Sequence, residues 1–276
     1  MTIDRARAAF FIGANLVFLT TAATAQAADA SAWDGTQRSA VRLIAGTRVE
    51  GGAALRAGIE MRVAPGWKTY WRYPGDSGIP PRFDFSKSRN VKSVTVRWAA
   101  PQRLTDESGT SIGYKNGVVF PLEVVPENAA RPVALVVKAD YAVCEKICIP
   151  AEGKAELSVT GKPGAQDGWL KQHDDLVPVA AKIGAAEPLA VRAVKREDKR
   201  ILVDVAAPGA IELFAEGPAA DWALPVPAPI EGAPAGQQRF AFELDGLPPN
   251  TKPDGAILTL TAVSGGQAIE VPYRLD

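Results

Sequence analysis

Hydrophobic and polar positions alternate with a period of two along much of this chain. Val94, Val96 and Trp98 alternate with Thr95 and Arg97, and Ala155, Leu157 and Val159 alternate with Glu156, Ser158 and Thr160. Between them Val133, Leu135, Val137, Ala139, Tyr141 and Val143 alternate with a mixed face carrying Lys138 and Asp140. Side chains two apart share one face of a strand, so each run predicts a strand with one buried face. The pattern returns at Ile201, Val203 and Val205, at Phe240, Phe242 and Leu244, and at Ile269, Val271, Tyr273 and Leu275. Each such face needs a second layer to cover it, and the chain carries 22 prolines and 25 glycines as turn punctuation. An all-β chain with a two-sheet sandwich in each half follows.

The alternation breaks at GKPGAQDGW, residues 161–169, a turn-rich stretch. Trp169, His173, Leu176, Ala180 and Ile183 then fall at helical spacing, which predicts a short connecting helix, bent near Pro178, with these residues on its apolar side. Residues 161–187 are therefore expected to link a first sandwich, residues 28–160, to a second one, residues 188–276. The two halves show no sequence repeat.

The first 27 residues carry Arg5 and Arg7, an apolar run from Ala8 through Leu19, and the small-residue ending Ala25-Gln26-Ala27. That order predicts a cleavable secretory signal with the mature chain starting at Ala28. A lipoprotein would need a cysteine just after the apolar run, and no later segment approaches the roughly 18 apolar residues of a membrane span. The expectation is an exported, unanchored protein in an oxidising compartment. Losing Asp4, Arg5 and Arg7 with the signal takes 31 basic and 31 acidic residues to 29 and 30. Such a balance gives no electrostatic reason to bind nucleic acid or an anionic membrane.

In that setting the two cysteines of the chain, Cys144 and Cys148 in YAVCEKICIP (residues 141–150), gain meaning. The alternation places them between a strand ending near Val143 and one beginning near Lys154, in a connection rather than a ladder. Four residues of extended strand span about 13 Å, whereas a disulfide needs Cα atoms about 4.4–6.8 Å apart. If the pair closes, the chain must turn between them, as one helical turn or a tight loop, and Pro150 would help to end that turn. A structural disulfide is one reading, but closing so short a loop stabilises by only about 2 kcal/mol. A pair in an exposed connection is also within reach of a foreign thiolate, which suits thiol-disulfide exchange. Lys146 would lower a neighbouring thiol pKa and Glu145 would raise it, so local charge does not choose the nucleophile.

Three stretches in order carry a resemblance: PGWKTYWRYPGDSGIPP (residues 65–81), IGYKNGVVFPLEV (residues 112–124) and YAVCEKICIPAEGKAEL (residues 141–157). Together they resemble the periplasmic N-terminal domain of DsbD and ScsB type protein-disulfide reductases over roughly residues 38–160. The resemblance implies an immunoglobulin-like sandwich in the periplasm whose two cysteines cycle between dithiol and disulfide, with Cys144 and Cys148 in the catalytic positions and no cofactor. It further implies an electron donor, a membrane-embedded thiol reductase, and electron acceptors of the thioredoxin-like kind. Full-length relatives continue into a membrane domain and a thioredoxin domain that this sequence does not contain, so the donor is expected to be a separate chain. Some relatives shield the disulfide with an aromatic residue on a cap loop; the comparable TDESG, residues 105–109, has none, and Tyr114 is the nearest candidate.

Trp67, Trp71 and Tyr73 fall on one face of a strand and Tyr70 on the other, while Tyr73-Pro74-Gly75-Asp76 fits a turn. Exposed, these rings would form a binding platform for sugar or peptide; packing in a core or beside the cysteines is the alternative. His173, the one histidine, reads as a packed residue on the linker helix, without the companions that a metal site or a Ser-His-Asp triad needs. Three function classes result. The first is a thiol-disulfide exchange or electron-relay protein using Cys144 and Cys148. The second is a Cu(I) chaperone, since CEKICIP is superficially similar to the CxxxCP motif of Sco-type proteins and soft thiolates select Cu(I). The third is a non-catalytic binding or assembly module with a structural disulfide.

Overall fold

The computed structural model describes residues 28–75, 78–106 and 109–276, so the secretory-signal reading and Asp76 of the proposed turn lie outside the described residues. Among the described residues the chain forms nineteen strands and one helix. In chain order the first eleven strands are β1 (Asp34–Gly35), β2 (Ser39–Arg48), β3 (Leu55–Val63), β4 (Lys68–Gly75), β5 (Arg82–Asp84), β6 (Val91–Val96), β7 (Gln102–Asp106), β8 (Gly109–Lys115), β9 (Val118–Pro126), β10 (Val133–Cys144) and β11 (Cys148–Val159). Helix α1 (Asp167–Asp174) follows. The remaining strands are β12 (Val179–Ala180), β13 (Ala190–Glu197), β14 (Arg200–Ala206), β15 (Glu212–Glu216), β16 (Ala228–Ile230), β17 (Gln238–Glu243), β18 (Ile257–Ser264) and β19 (Gln267–Arg274).

Two sheets build the N-terminal sandwich, one in the order β1-β2-β3-β9-β6 and one in the order β11-β10-β4-β8-β7, with β5 paired to β10. Two more, β12-β19-β18-β15 and β13-β14-β17-β16, build the C-terminal sandwich. The fold is thus the all-β, immunoglobulin-like pair of sandwiches with a short linking helix that the alternation and the resemblance imply. Period-two positions form the core: Val133, Leu135, Val137, Ala139 and Tyr141 from β10 face Leu43, Ile59, Phe120 and Leu122 across the sandwich. In the other half Ile201, Val203, Val205, Phe240, Phe242 and Val271 are buried in the same way. One continuous apolar cluster runs through both halves.

Helix α1 is shorter than expected and turns a different side inward. It ends at Asp174, before Pro178, and its buried residue is Leu170, packed with Ile44 and Val119. Trp169, Leu176 and Ile183 are exposed, and Ala180 belongs to strand β12, which pairs in parallel with β19. The outcome follows from Gly46 and Gly58: each leaves a gap that Leu170 fills, since a Cβ at either would sit 2.7 Å from its methyl carbons. Among the described residues no helix is long and apolar enough to cross a membrane.

Candidate redox site

The site grows from the β10–β11 hairpin, whose two strands pair without a break from Val133↔Val159 to Cys144↔Cys148. The cysteines are therefore not in a free connection, as the alternation suggested, but form the last cross-strand pair of the ladder. Strand β11 starts at Cys148, six residues before Lys154, and it tolerates Pro150 because it is the edge strand of its sheet. The alternation misses this part of β11 because Ala151 and Gly153, between Ile149 and Ala155, give its inward face little apolar bulk. Directly opposed positions bring the Cα atoms to 4.1 Å, and Cys144 and Cys148 are joined in a disulfide. Glu145, Lys146 and Ile147 make the tight loop between them, closed by a hydrogen bond from the Glu145 amide to the Ile147 carbonyl.

The two sulfurs occupy unlike surroundings. Cys144 is buried, 2% exposed, because β10 continues into the middle of its sheet and Cys144 pairs there with Lys68 of β4. Cys148, on the edge strand, is exposed, and Ile147 beside it is 67% exposed.

Over the buried sulfur lies Tyr70. Its hydroxyl donates to Cys144 Sγ at 2.7 Å and stands 3.3 Å from Cys148 Sγ. Tyr70, Ala142 and Cys144 form a small apolar cluster of their own. Gly113 of β8 lets β4 approach closely, since a Cβ there would meet the Thr69 carbonyl, and a Cβ at Gly78 would meet the Tyr70 ring. Burial, and after it the negative charge of Asp106, push the Tyr70 pKa up. The phenol is therefore a neutral donor at neutral pH. Asp106 at the end of β7 accepts from the buried Lys68 ammonium at 2.6 Å, and Ser111 accepts from the same ammonium at 3.0 Å.

Tyr114, expected as the nearest shielding aromatic, is a core residue instead: its hydroxyl donates to the Ala99 carbonyl at 2.8 Å and its ring meets Phe120 edge-on. Trp71 and Tyr73 are buried too, so PGWKTYWRYPG contributes packing and not an exposed aromatic platform. His173 sits on α1, against the sheet that does not hold the cysteines, with its Nδ1 2.8 Å from the Trp169 carbonyl and its ring against Trp169. The site residue that the alternation failed to single out is Tyr70. Its signal in sequence was its opposite parity to Trp71 and Tyr73, which set it on the cysteine side of β4.

The chain is similar to known proteins. Residues 40–160 match the family described as thiol:disulfide interchange protein DsbD, N-terminal, as the three motifs implied. Among solved structures, the N-terminal periplasmic domain of ScsB from Proteus mirabilis superposes with a TM-score of 0.69 at 18% identity, covering 90% of this chain and 98% of that one. At that identity the likeness speaks for the fold, and its coverage extends beyond the region of the family match. No curated protein sequence matches the chain.

Proposed function

We propose, from the DsbD N-terminal match of residues 40–160, that this is a periplasmic thiol-disulfide relay whose working pair is Cys144 and Cys148. One observation carries the reading: the disulfide is asymmetric, with Cys148 open to solvent and Cys144 buried under the Tyr70 hydroxyl. An incoming thiolate attacks Cys148 Sγ in line with the S–S bond. The bond to Cys144 breaks, a mixed disulfide forms at Cys148, and the electron pair leaves on Cys144 as a thiolate that Tyr70 is placed to hydrogen-bond. The donor's second thiolate then releases Cys148. In the onward half-reaction the Cys148 thiolate attacks the disulfide of an acceptor, and Cys144 resolves the mixed disulfide. The donor fitting this cycle is a membrane-embedded thiol reductase on another chain, and the acceptors are thioredoxin-like proteins. Ile147 at the hairpin tip, next to Cys148 and 67% exposed, gives such partners apolar purchase beside the sulfurs.

A staple explains the pair less well. The loop it closes is so short that it stabilises by only about 2 kcal/mol, and the hairpin already holds the same residues in register. The deciding measurement is the reduction potential of the mature protein, by equilibration in thiol buffers and mass-shift alkylation. A value between about −270 and −120 mV supports a cycling site, and a pair still oxidised well below about −300 mV returns it to a structural role.

A further inference from the structure

Strands β4 and β7, which carry Tyr70 to the disulfide and its acidic neighbour Asp106, are also the strands that the C-terminal sandwich grips. The three residues after Tyr70 all engage it. Trp71 packs against Phe214 of β15 with ring centroids 5.9 Å apart. Arg72 makes a forked pair with Glu216 at the end of β15, at 2.9 and 2.7 Å, and a second ion pair with Glu270 of β19. Its guanidinium also lies 4.3 Å over the Trp71 ring. Tyr73 donates its hydroxyl to the Leu224 carbonyl at 2.6 Å. On β7, the Arg103 amide donates to Glu212 and its guanidinium to the Pro227 carbonyl at 2.6 Å, three residues before Asp106.

The pairing of β4 shows why such a grip matters. Tyr70 is opposite Gly113 of β8, yet Gly75 is opposite Ser111, so residues 71–74 bulge out of the ladder. A bulge leaves a strand without neighbours to fix its course. The bulged residues Trp71, Arg72 and Tyr73 are instead fixed by the other sandwich, through the Phe214 ring, the Glu216 carboxylate and the Leu224 carbonyl.

We infer that the C-terminal sandwich is a positioning element for the redox pair: through Arg72 and its partners Glu216 and Glu270 it holds the β4 bulge so that the Tyr70 hydroxyl stays on Cys144. Arg72, Glu216 and Glu270 are thus positioning residues that act through Tyr70. The inference rests on the proposed relay for its biological meaning, but the coupling itself is a property of the folded protein.

The test is a double-mutant cycle in the full mature chain, read as the rate at which dithiothreitol reduces the disulfide. Glu216→Gln with Glu270→Gln keeps side-chain shape and removes both charges facing Arg72. This pair of substitutions is expected to slow reduction by at least about fivefold, the low end of coupling between linked sites. In a Tyr70→Phe background the same pair is expected to change the rate less than about twofold, because the hydroxyl it positions is gone. Glu243→Gln, which removes the partner of Arg200 on the other sheet of the C-terminal sandwich, is the control expected to leave the rate unchanged. Circular dichroism checks the fold; should the double variant unfold, Glu270→Gln alone, at the more exposed rim of the cluster, takes its place with the same expected direction. An unchanged rate in a folded variant, or an equal slowing with and without the Tyr70 hydroxyl, overturns the inference. Because dithiothreitol needs no biological partner, this outcome stands apart from a wild-type potential below about −300 mV, which would overturn the relay alone.

Discussion

The Tyr70 hydroxyl points at Cys144 Sγ from 2.7 Å, and Cys144 is the buried half of the disulfide. A neutral disulfide sulfur is a weak acceptor, whereas a thiolate is a strong one, so this bond strengthens as Cys144 leaves with the electron pair. A hydrogen bond to a charged partner contributes about 1.5–3 kcal/mol. Tyr70→Phe keeps the ring over the sulfur and removes the donor. It is expected to slow reduction of the disulfide by about tenfold or more and to raise the Cys144 thiol pKa in the reduced protein. Stopped-flow reduction and pH-dependent alkylation measure the two effects, and a rate equal to wild type would show that the hydroxyl only fills space.

Exposure assigns unlike roles to the two cysteines. With Cys144→Ala the remaining Cys148 thiol is open, and with Cys148→Ala the remaining Cys144 thiol is buried beneath Tyr70. Iodoacetamide is expected to modify the first variant at least about tenfold faster than the second, because substitution needs an in-line approach to the sulfur. The first variant is also the one expected to hold a thioredoxin-like partner as a stable mixed disulfide. Equal alkylation rates would contradict the assignment of Cys148 as the attacked and attacking sulfur.

The two-sandwich fold is legible in the period-two runs because burial of one strand face is a local property: Val133 through Tyr141 announce β10 without any knowledge of its neighbours. The chemistry at the site is less legible because it is made by register between distant strands. That Cys144 falls opposite Lys68, which brings Tyr70 to the sulfur, is fixed by pairing across more than seventy residues. The resemblance and closeness in sequence to TDESG put Tyr114 forward as the shielding aromatic, yet Tyr114 lies on the core side of β8, against Phe120. Leu170 is illegible for a related reason: helical spacing finds an apolar stripe through Trp169 and His173, but the gaps at Gly46 and Gly58 choose the side of α1 that docks.

That choice makes a paired prediction. Leu170 is 1% exposed and fills the gaps left by two glycines, while Trp169 next to it is 42% exposed. Leu170→Ala is expected to cost about 3 kcal/mol, the loss of buried methyl groups plus the cavity they leave. Trp169→Ala, though it removes the larger side chain, is expected to change stability by no more than about 0.5 kcal/mol. Urea denaturation of both variants decides, and the reverse order would mean that α1 docks through the face its helical spacing first suggested.

Stability at high pH depends on the buried tyrosines. Burial pushes the pKa values of Tyr70 and Tyr141 up, and that of Tyr114 well up, from the ordinary phenol value near 10. A raised pKa means that the folded chain keeps these protons to higher pH than the unfolded chain does. Their contribution is therefore complete below about pH 10, where both states are protonated, and is lost as pH rises through the folded values. Thermal midpoints are expected to be insensitive to tyrosine ionisation through neutral pH and to fall steeply above about pH 10, with tyrosinate absorbance appearing as the fold is lost. Lysine deprotonation acts in the same range, so a variant must separate the two. Tyr114→Phe abolishes one of the buried ionisations and leaves the Ala99 carbonyl without the hydroxyl that donates to it. It is expected to cost about 1 kcal/mol at neutral pH and yet to show a shallower alkaline decline than wild type. Parallel declines in the two proteins would mean that Tyr114 gives up its proton as readily in the folded chain as in the unfolded one, so that its burial does not raise its pKa.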